Sequence, residues 1–155
     1  MLKSPSSLDE EHEEIMGALR SYSQFHDMTG KAVGKLLQVL EPHFEKENQY
    51  VMPVLGSLTT LVTDEKHANL REIADSQAAI LQEYDSMFKE HEEIRKLVSE
   101  AKNVSLQEKH QDVADLLDGL AHHARVEEEV LYPAALLAGT VAKFLMPAPD
   151  MRAVS

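Results

Sequence analysis

Two short blocks hold the residue types most able to do chemistry: Pro42-His43-Phe44-Glu45-Lys46-Glu47 and His122-His123-Ala124-Arg125-Val126-Glu127. In each, a His stands four residues before a Glu. On a helix, four residues turn the chain by roughly 400°, so the two side chains lie one turn apart on one face. A neutral imidazole nitrogen and a carboxylate oxygen placed this way can reach the same metal ion. The blocks are 80 residues apart, and each has a Pro six residues beyond its Glu, at Pro53 and Pro133. Of the eight His in the chain, only His43 and His123 have Glu at that distance.

A second repeat supplies more imidazoles. Glu11-His12-Glu13-Glu14-Ile15 matches Glu90-His91-Glu92-Glu93-Ile94 with an offset of 79. His12 and His91 fall, like the first pair, where the apolar pattern points inward. A lone His on an apolar face is ordinarily a packed core residue. Four His and two Glu, inward and in register with a repeat, call for more. Two carboxylates in a small core must be paired, protonated or bound to metal. Arg95, beside His91, is the one basic residue near those faces. Imidazole and carboxylate donors without thiolate suit iron, manganese or zinc. The six divide into two sets of two His and one Glu, and a pair of ions can share them if each Glu bridges.

These residues need helices to position them, and the chain supplies helical patterns. A first helix is expected from Ser6 or Ser7, with Ser7 and Glu10 as a capping box, to about His26; its inner face is Leu8, His12, Ile15, Met16 and Leu19. Thr29-Gly30 reads as a turn. The second helix, from about Lys31 to Gly56-Ser57, faces inward with Leu36, Val39, Leu40, His43, Glu47, Tyr50 and Val54. Pro42 predicts a kink or break within it. One helix from Asp64 to Ala101 would be long for a bundle, so a short extra helix or a bend near Asp75 is expected. The third helix carries Leu81, Tyr84, Met87, Phe88, His91, Ile94 and Val98 inward and ends at a Lys102-Asn103-Val104 loop. Ser105 and Glu108 suggest another capping box. The fourth runs from Leu106 to about Ala138, with Leu116, Leu120, His123, Glu127, Val130, Leu131 and Ala134 inward and Gly139 as C-cap. The fold expected is an all-α, antiparallel up-down four-helix bundle with a pseudo-two-fold repeat of helix pairs. It forms a single domain over 1–155: a bundle at about 7–138 and an apolar tail at 139–155, broken by Pro147 and Pro149, that packs on the bundle or forms a homodimer.

Composition narrows the partners. Net charge is −12, which argues against nucleic acid or an anionic membrane surface. Cys is absent, excluding disulfides, iron–sulfur clusters and thiolate zinc sites. No apolar run is long enough to span a membrane, and Met1-Leu2-Lys3-Ser4-Pro5 does not resemble a signal peptide. A cytoplasmic location is expected.

The chain resembles the hemerythrin-like family of His-His-Glu cation-binding domains. The resemblance rests on the two Glu-His-Glu-Glu-Ile blocks, on His43-x-x-x-Glu47 with Tyr50-Val-Met-Pro53, and on His123-x-x-x-Glu127 with Glu128-Glu-Val-Leu-Tyr-Pro133. It implies a four-helix bundle with an oxo- or hydroxo-bridged non-haem di-iron centre, zinc or manganese being alternatives. The family's ligand positions fall on His12, His43, Glu47, His91, His123 and Glu127. One departure is Arg95, which stands where oxygen-carrying hemerythrins have a further His, so simple reversible O2 carriage is not expected. His67, in a long segment between Glu47 and His91, is a competing ligand candidate. Tyr50, seven residues after His43, is a candidate hydrogen-bond donor or ligand, and Tyr84, seven before His91, a weaker one. Glu13, Glu14, Glu92, Glu93, Glu128, Glu129, His26 and His122 read as solvated.

The function expected is a di-iron protein that binds or responds to O2, nitric oxide or peroxide, in sensing, scavenging or stress response. No catalytic residue is assigned. The alternatives are an iron storage or donation protein and a metal-free helical interaction module. A ferritin-like oxidase is disfavoured, because no His here has Glu three residues before it.

Overall fold

A computed structural model describes residues 1–148. Every regular element among them is helical. The order is α1 (Ser6–Tyr22), α2 (Met28–Tyr50), α3 (Met52–Leu55), α4 (Leu58–Thr63), a 3-10 turn (Glu65–His67), α5 (Leu70–Gln107), α6 (Gln111–Val126), a π turn (Glu127–Leu131) and α7 (Tyr132–Leu145). Helix α5 packs along α2, α6 and α7, and α1 packs on α2. The architecture is consistent with a hemerythrin-like helical bundle.

The expected interruptions fall elsewhere. Helix α2 passes through Pro42 without a break. Proline leaves the carbonyl four residues earlier without its amide partner. Here that residue is Gln38, and both Gln38 and Pro42 lie on the exposed side, where water can take the free carbonyl. The break comes instead at Val51, and Pro53 sits in the first turn of α3, where its missing N–H costs nothing. The short extra helix is present as α4. No bend follows near Asp75: α5 is continuous over 38 residues, about 57 Å.

Helix α5 also runs through the expected loop at Lys102-Asn103-Val104. It ends where the His110 amide donates to the Ser105 carbonyl (2.7 Å) and the Lys109 amide to Leu106 (3.2 Å), with Lys109 left-handed at φ 64°. This is a Schellman ending with Lys where Gly is usual. Glu108 therefore does not pair with Ser105 in a capping box. Its carboxylate accepts from the Met28 and Thr29 amides and the Thr29 hydroxyl, closing the start of α2. Asp27 caps the same helix through the Gly30 amide, so Thr29-Gly30 belongs to the first turn of α2. At α1 the cap position is Pro5, and among the described residues no side chain caps it.

Leu81 and Val130, expected inside, are exposed; Ile80 and Tyr132 are buried in their vicinity. Gly139 is not a C-cap. It lies within α7 against Gln77, whose Cβ would stand 2.4 Å from a Cβ added at Gly139. The expected apolar tail is helical to Leu145, and residues 149–155, including Pro149, lie outside the described residues.

The interior is divided. One apolar cluster gathers residues such as Leu19, Leu36, Leu40, Ile94, Val98, Leu117 and Leu120. Another gathers Met52, Val54, Ile73, Ile80, Met87, Tyr132 and Ala135. On α2, α5 and the α6–α7 stretch, the His and Glu of the repeat lie where one cluster gives way to the other: His43 and Glu47 between Leu40 and Val51, with Phe44 of the first cluster beside them, His91 between Met87 and Ile94, and His123 and Glu127 between Leu120 and Tyr132.

Candidate metal centre

All six residues singled out by spacing converge in this dividing layer. His12, His43, Glu47, His91, His123 and Glu127 are each at most 5% exposed. The helical four-residue spacing works as expected: His43 Nε2 lies 3.1 Å from Glu47 Oε1, and His123 Nε2 lies 2.7 Å from Glu127 Oε1. Between helices, His43 Nε2 and His91 Nε2 are 2.9 Å apart, and His12 Nε2 and His123 Nε2 are 3.0 Å apart. Glu127 Oε2 lies 3.2 Å from His91 Nε2, and Glu127 Oε1 lies 3.4 Å from His12 Nε2. Two groups share Glu127: His43, Glu47, His91 and Glu127, and His12, His123 and Glu127.

The outward nitrogen of every imidazole is also held. His43 Nδ1 meets Glu90 at 2.7 Å, His91 Nδ1 meets Glu128 at 2.8 Å, His123 Nδ1 meets Glu11 at 3.0 Å and His12 Nδ1 meets the Asn48 side-chain oxygen Oδ1 at 3.2 Å. Lys46 in turn binds Glu90, and Arg95 binds Glu128. Glu128 is thus partly buried and paired rather than solvated. These partners follow a rule in the sequence. Glu11 and Glu90 each precede the isolated His, while Asn48 and Glu128 each follow the Glu of a His-x-x-x-Glu block. An adjacent residue lies about 100° round the helix, which aims it at the neighbouring helix's imidazole.

The phenol that hydrogen-bonds this cluster is Tyr132, which spacing did not identify. Its hydroxyl donates to Glu47 Oε1 and lies 3.2 Å from His91 Nε2, and its ring stacks on His91. The π turn places it there. A π turn inserts one residue into the helical count. The inward positions therefore shift by one, from Leu131 to Tyr132 and from Ala134 to Ala135, and both Tyr132 and Ala135 are buried. Tyr50 packs, partly buried, at the edge of the second apolar cluster. Tyr84 stands edge-on behind Tyr132 at 6.4 Å. His67 is turned out to solvent in the 3-10 turn, 78% exposed and paired with Asp64, so it does not join the six.

The electrostatics call for positive charge. Acceptors on Nδ1 place the proton of a neutral imidazole there, leaving each Nε2 lone pair facing inward. Nε2 lone pairs then meet each other at about 3 Å beside two carboxylates. Among the described residues, two buried carboxylate oxygens, Glu47 Oε2 and Glu127 Oε2, have no hydrogen-bond donor: the imidazole nitrogens that face them, His12 Nε2 at 3.6 Å and His91 Nε2 at 3.2 Å, carry no proton in this tautomer. Burial alone lowers the pKa of the His91 imidazole, but the hydrogen bonds that its protonated form donates to Glu127 and Glu47, with the Glu127 charge, outweigh burial and raise it to about 10. His123 is likewise depressed by burial and lifted by Glu127 and Glu11 to about 9. Burial works to raise the Glu127 carboxyl, yet its bonds to His12, His123 and His91 hold it well below the usual range. Burial, with the charges of Glu47 and Glu127, pushes the Tyr132 phenol upward. Protons can meet this demand, and so can divalent cations, for which unpartnered carboxylate oxygens and inward imidazole nitrogens are fitting donors.

A family model described as the hemerythrin HHE cation binding domain matches residues 5–135. The chain belongs to that family. Neither the curated proteins nor the solved structures contain a match. Membership in the hemerythrin HHE family, together with the buried His and Glu residues, supports a metal-binding protein. Among the described residues of this hemerythrin-like chain, no helix is long and apolar enough to cross a membrane.

Proposed function

We propose that His12, His43, Glu47, His91, His123 and Glu127 hold two iron ions in an up-down four-helix bundle. We further propose that the pair binds or responds to O2, nitric oxide or peroxide in sensing, scavenging or stress response. The observation that carries this reading is the pair of unpartnered oxygens, Glu47 Oε2 and Glu127 Oε2, buried among four inward Nε2 atoms. An unmade hydrogen bond to a buried charged oxygen is costly, and a cation removes that cost. A bound iron pair supplies one-electron redox steps and an exchangeable position for a small ligand.

The protein's own part is to orient these groups and to hold a proton. Glu90, Glu128, Glu11 and Asn48 fix the imidazole rings through Nδ1. Tyr132 keeps a hydroxyl proton beside Glu47 and His91, available for donation to an oxygen-bearing ligand. Apolar clusters flank the layer on both sides. Arg95 stands four residues after His91 and binds Glu128, so it supports the His91 partner rather than adding a ligand.

Metal content and optical spectra of the purified protein, before and after O2, nitric oxide or peroxide, test the proposal. About two irons per chain, with a spectrum that changes on exposure, is the expected result. Two irons with no spectral response would favour storage or donation. One zinc per chain, or no stoichiometric metal, would overturn the reading.

A further inference from the structure

The repeat suggests two equal halves, but the surroundings of the two cation positions differ. Resting on the dinuclear reading, we propose that the position between His43 and His91 fills first and retains its ion. The position between His12 and His123 fills second, exchanges, and is reached through a cleft between α1 and α2.

The donor sets differ in charge. His43 and His91 come together with both Glu47 and Glu127, one ligand atom from each lying within 4.8 Å of the others, whereas His12 and His123 gather only Glu127 on the same terms. Two carboxylates attract a divalent cation more strongly than one, and the attraction is large in a dry interior. Glu47 does approach the second position, with Oε2 3.6 Å from His12 Nε2, but Tyr132 holds its other oxygen toward His91. The repeat's counterpart of Tyr132, 80 residues earlier, is Met52, which has no proton to donate.

The outer supports differ in the same direction. His43 and His91 both donate to carboxylates, and each carboxylate is fixed by a cation, Lys46 on Glu90 and Arg95 on Glu128. A carboxylate on Nδ1–H strengthens the imidazole as a ligand. His123 donates to Glu11, which is 48% exposed, and His12 donates to the neutral amide of Asn48. The repeat aligns Asn48 with Glu128, so the weaker support is a property of the sequence as well as of the geometry.

Access differs too. A cleft of about 530 Å3 has His12, Phe44 and Asn48 on its wall, with Asp9, Glu13 and Glu45 among its acidic residues. None of the other five candidate ligands lines it. A cleft of about 380 Å3 on another face reaches Arg95 and Glu128 but none of the six. Acidic walls draw in cations, admit neutral molecules and slow anions. The second position is therefore the one that a metal ion in transit meets first and a small neutral ligand can approach.

The test is an anaerobic titration of the cation-stripped protein with cobalt(II), followed by visible absorption and calorimetry. Two steps of one cobalt each are expected, with dissociation constants separated by about tenfold or more. His12→Ala should remove the weak step and keep the tight one. Asn48→Asp, which deletes no ligand, should strengthen the weak step and narrow the separation. Glu13→Gln with Glu45→Gln should slow cobalt uptake at low salt without changing the final stoichiometry. Two cobalts bound with equal affinity, or loss of the tight step in His12→Ala, would overturn the inference and leave the dinuclear reading standing. A single cobalt in the unmodified protein, or none, would overturn both.

Discussion

Each imidazole in the layer uses its two nitrogens differently: Nε2 faces the candidate metal positions, while Nδ1 is tied to a neighbouring helix. The ties have consequences that can be measured. Glu90→Ala removes the acceptor of His43 and leaves Lys46 with Glu83 as its carboxylate partner. Loss of such a partner typically costs about 10–100-fold in metal affinity, and that is the expected change in a cobalt or iron titration. An unchanged affinity would show that the ring is held by packing alone. Protonation gives a second handle. Without a cation, the raised pKa values of His91 (about 10) and His123 (about 9) mean that the folded chain binds these protons more tightly than the unfolded chain, where an imidazole titrates near 6.5. That stabilisation is fully present below the unfolded value and is lost as pH rises through about 9 to 10. The melting temperature of cation-stripped protein should fall progressively from about pH 6.5 to about pH 10, while metal-loaded protein, whose imidazoles are already deprotonated, should not show the fall. The six inward residues were legible because a four-residue spacing, repeated and flanked by apolar positions, has few other readings. Tyr132 was not legible: counting forward from Glu127 in steps of 3.6 lands on Val130 and Leu131.

That miscount belongs to the element. The π turn at Glu127–Leu131 has no compositional mark, and only its effect on the phase of α7 reveals it. The first copy of the repeat handles the same stretch differently, breaking at Val51 and restarting with Pro53. A proline six residues past each Glu was visible in the sequence, but which rearrangement each would produce was not. Helix α5 was hard to bound for a related reason. Ser105 and Glu108 look like a start signal, yet Glu108 is used across the bundle to close α2. The real stop rests on Lys109 in a left-handed conformation. A side chain there costs about 1–2 kcal/mol relative to the right-handed region. Lys109→Gly should recover part of this, raising stability in urea by about 0.5–1 kcal/mol, although glycine's extra freedom in the unfolded chain offsets some of the gain. A destabilised variant would mean that the Lys109 side chain makes a compensating contact.

At the scale of the whole molecule, helical periodicity was enough to show an all-helical chain, because Leu, Ala, Glu and Lys recur at helical spacing across it. The division of the interior into two apolar clusters was not apparent, since each helix's inward stripe reads as continuous until the His and Glu positions are placed side by side. The division bears on what a bound cation does for stability. At a free concentration one hundred times its dissociation constant, a ligand specific for the folded state adds about 2.7 kcal/mol. For a chain of this size that corresponds to roughly 5–11 °C in melting temperature, the drop expected on chelation in a thermal scan.

Two greasy compartments meeting at a charged seam need not melt together. With the seam clamped by cations, backbone amides on both sides should exchange with deuterium as one cooperative block. Once the clamp is removed, protection around Leu36, Val98 and Leu117 should uncouple from protection around Ile73, Ile80 and Ala135, each compartment opening at its own free energy. The ion layer would then be what makes this chain fold as a single unit.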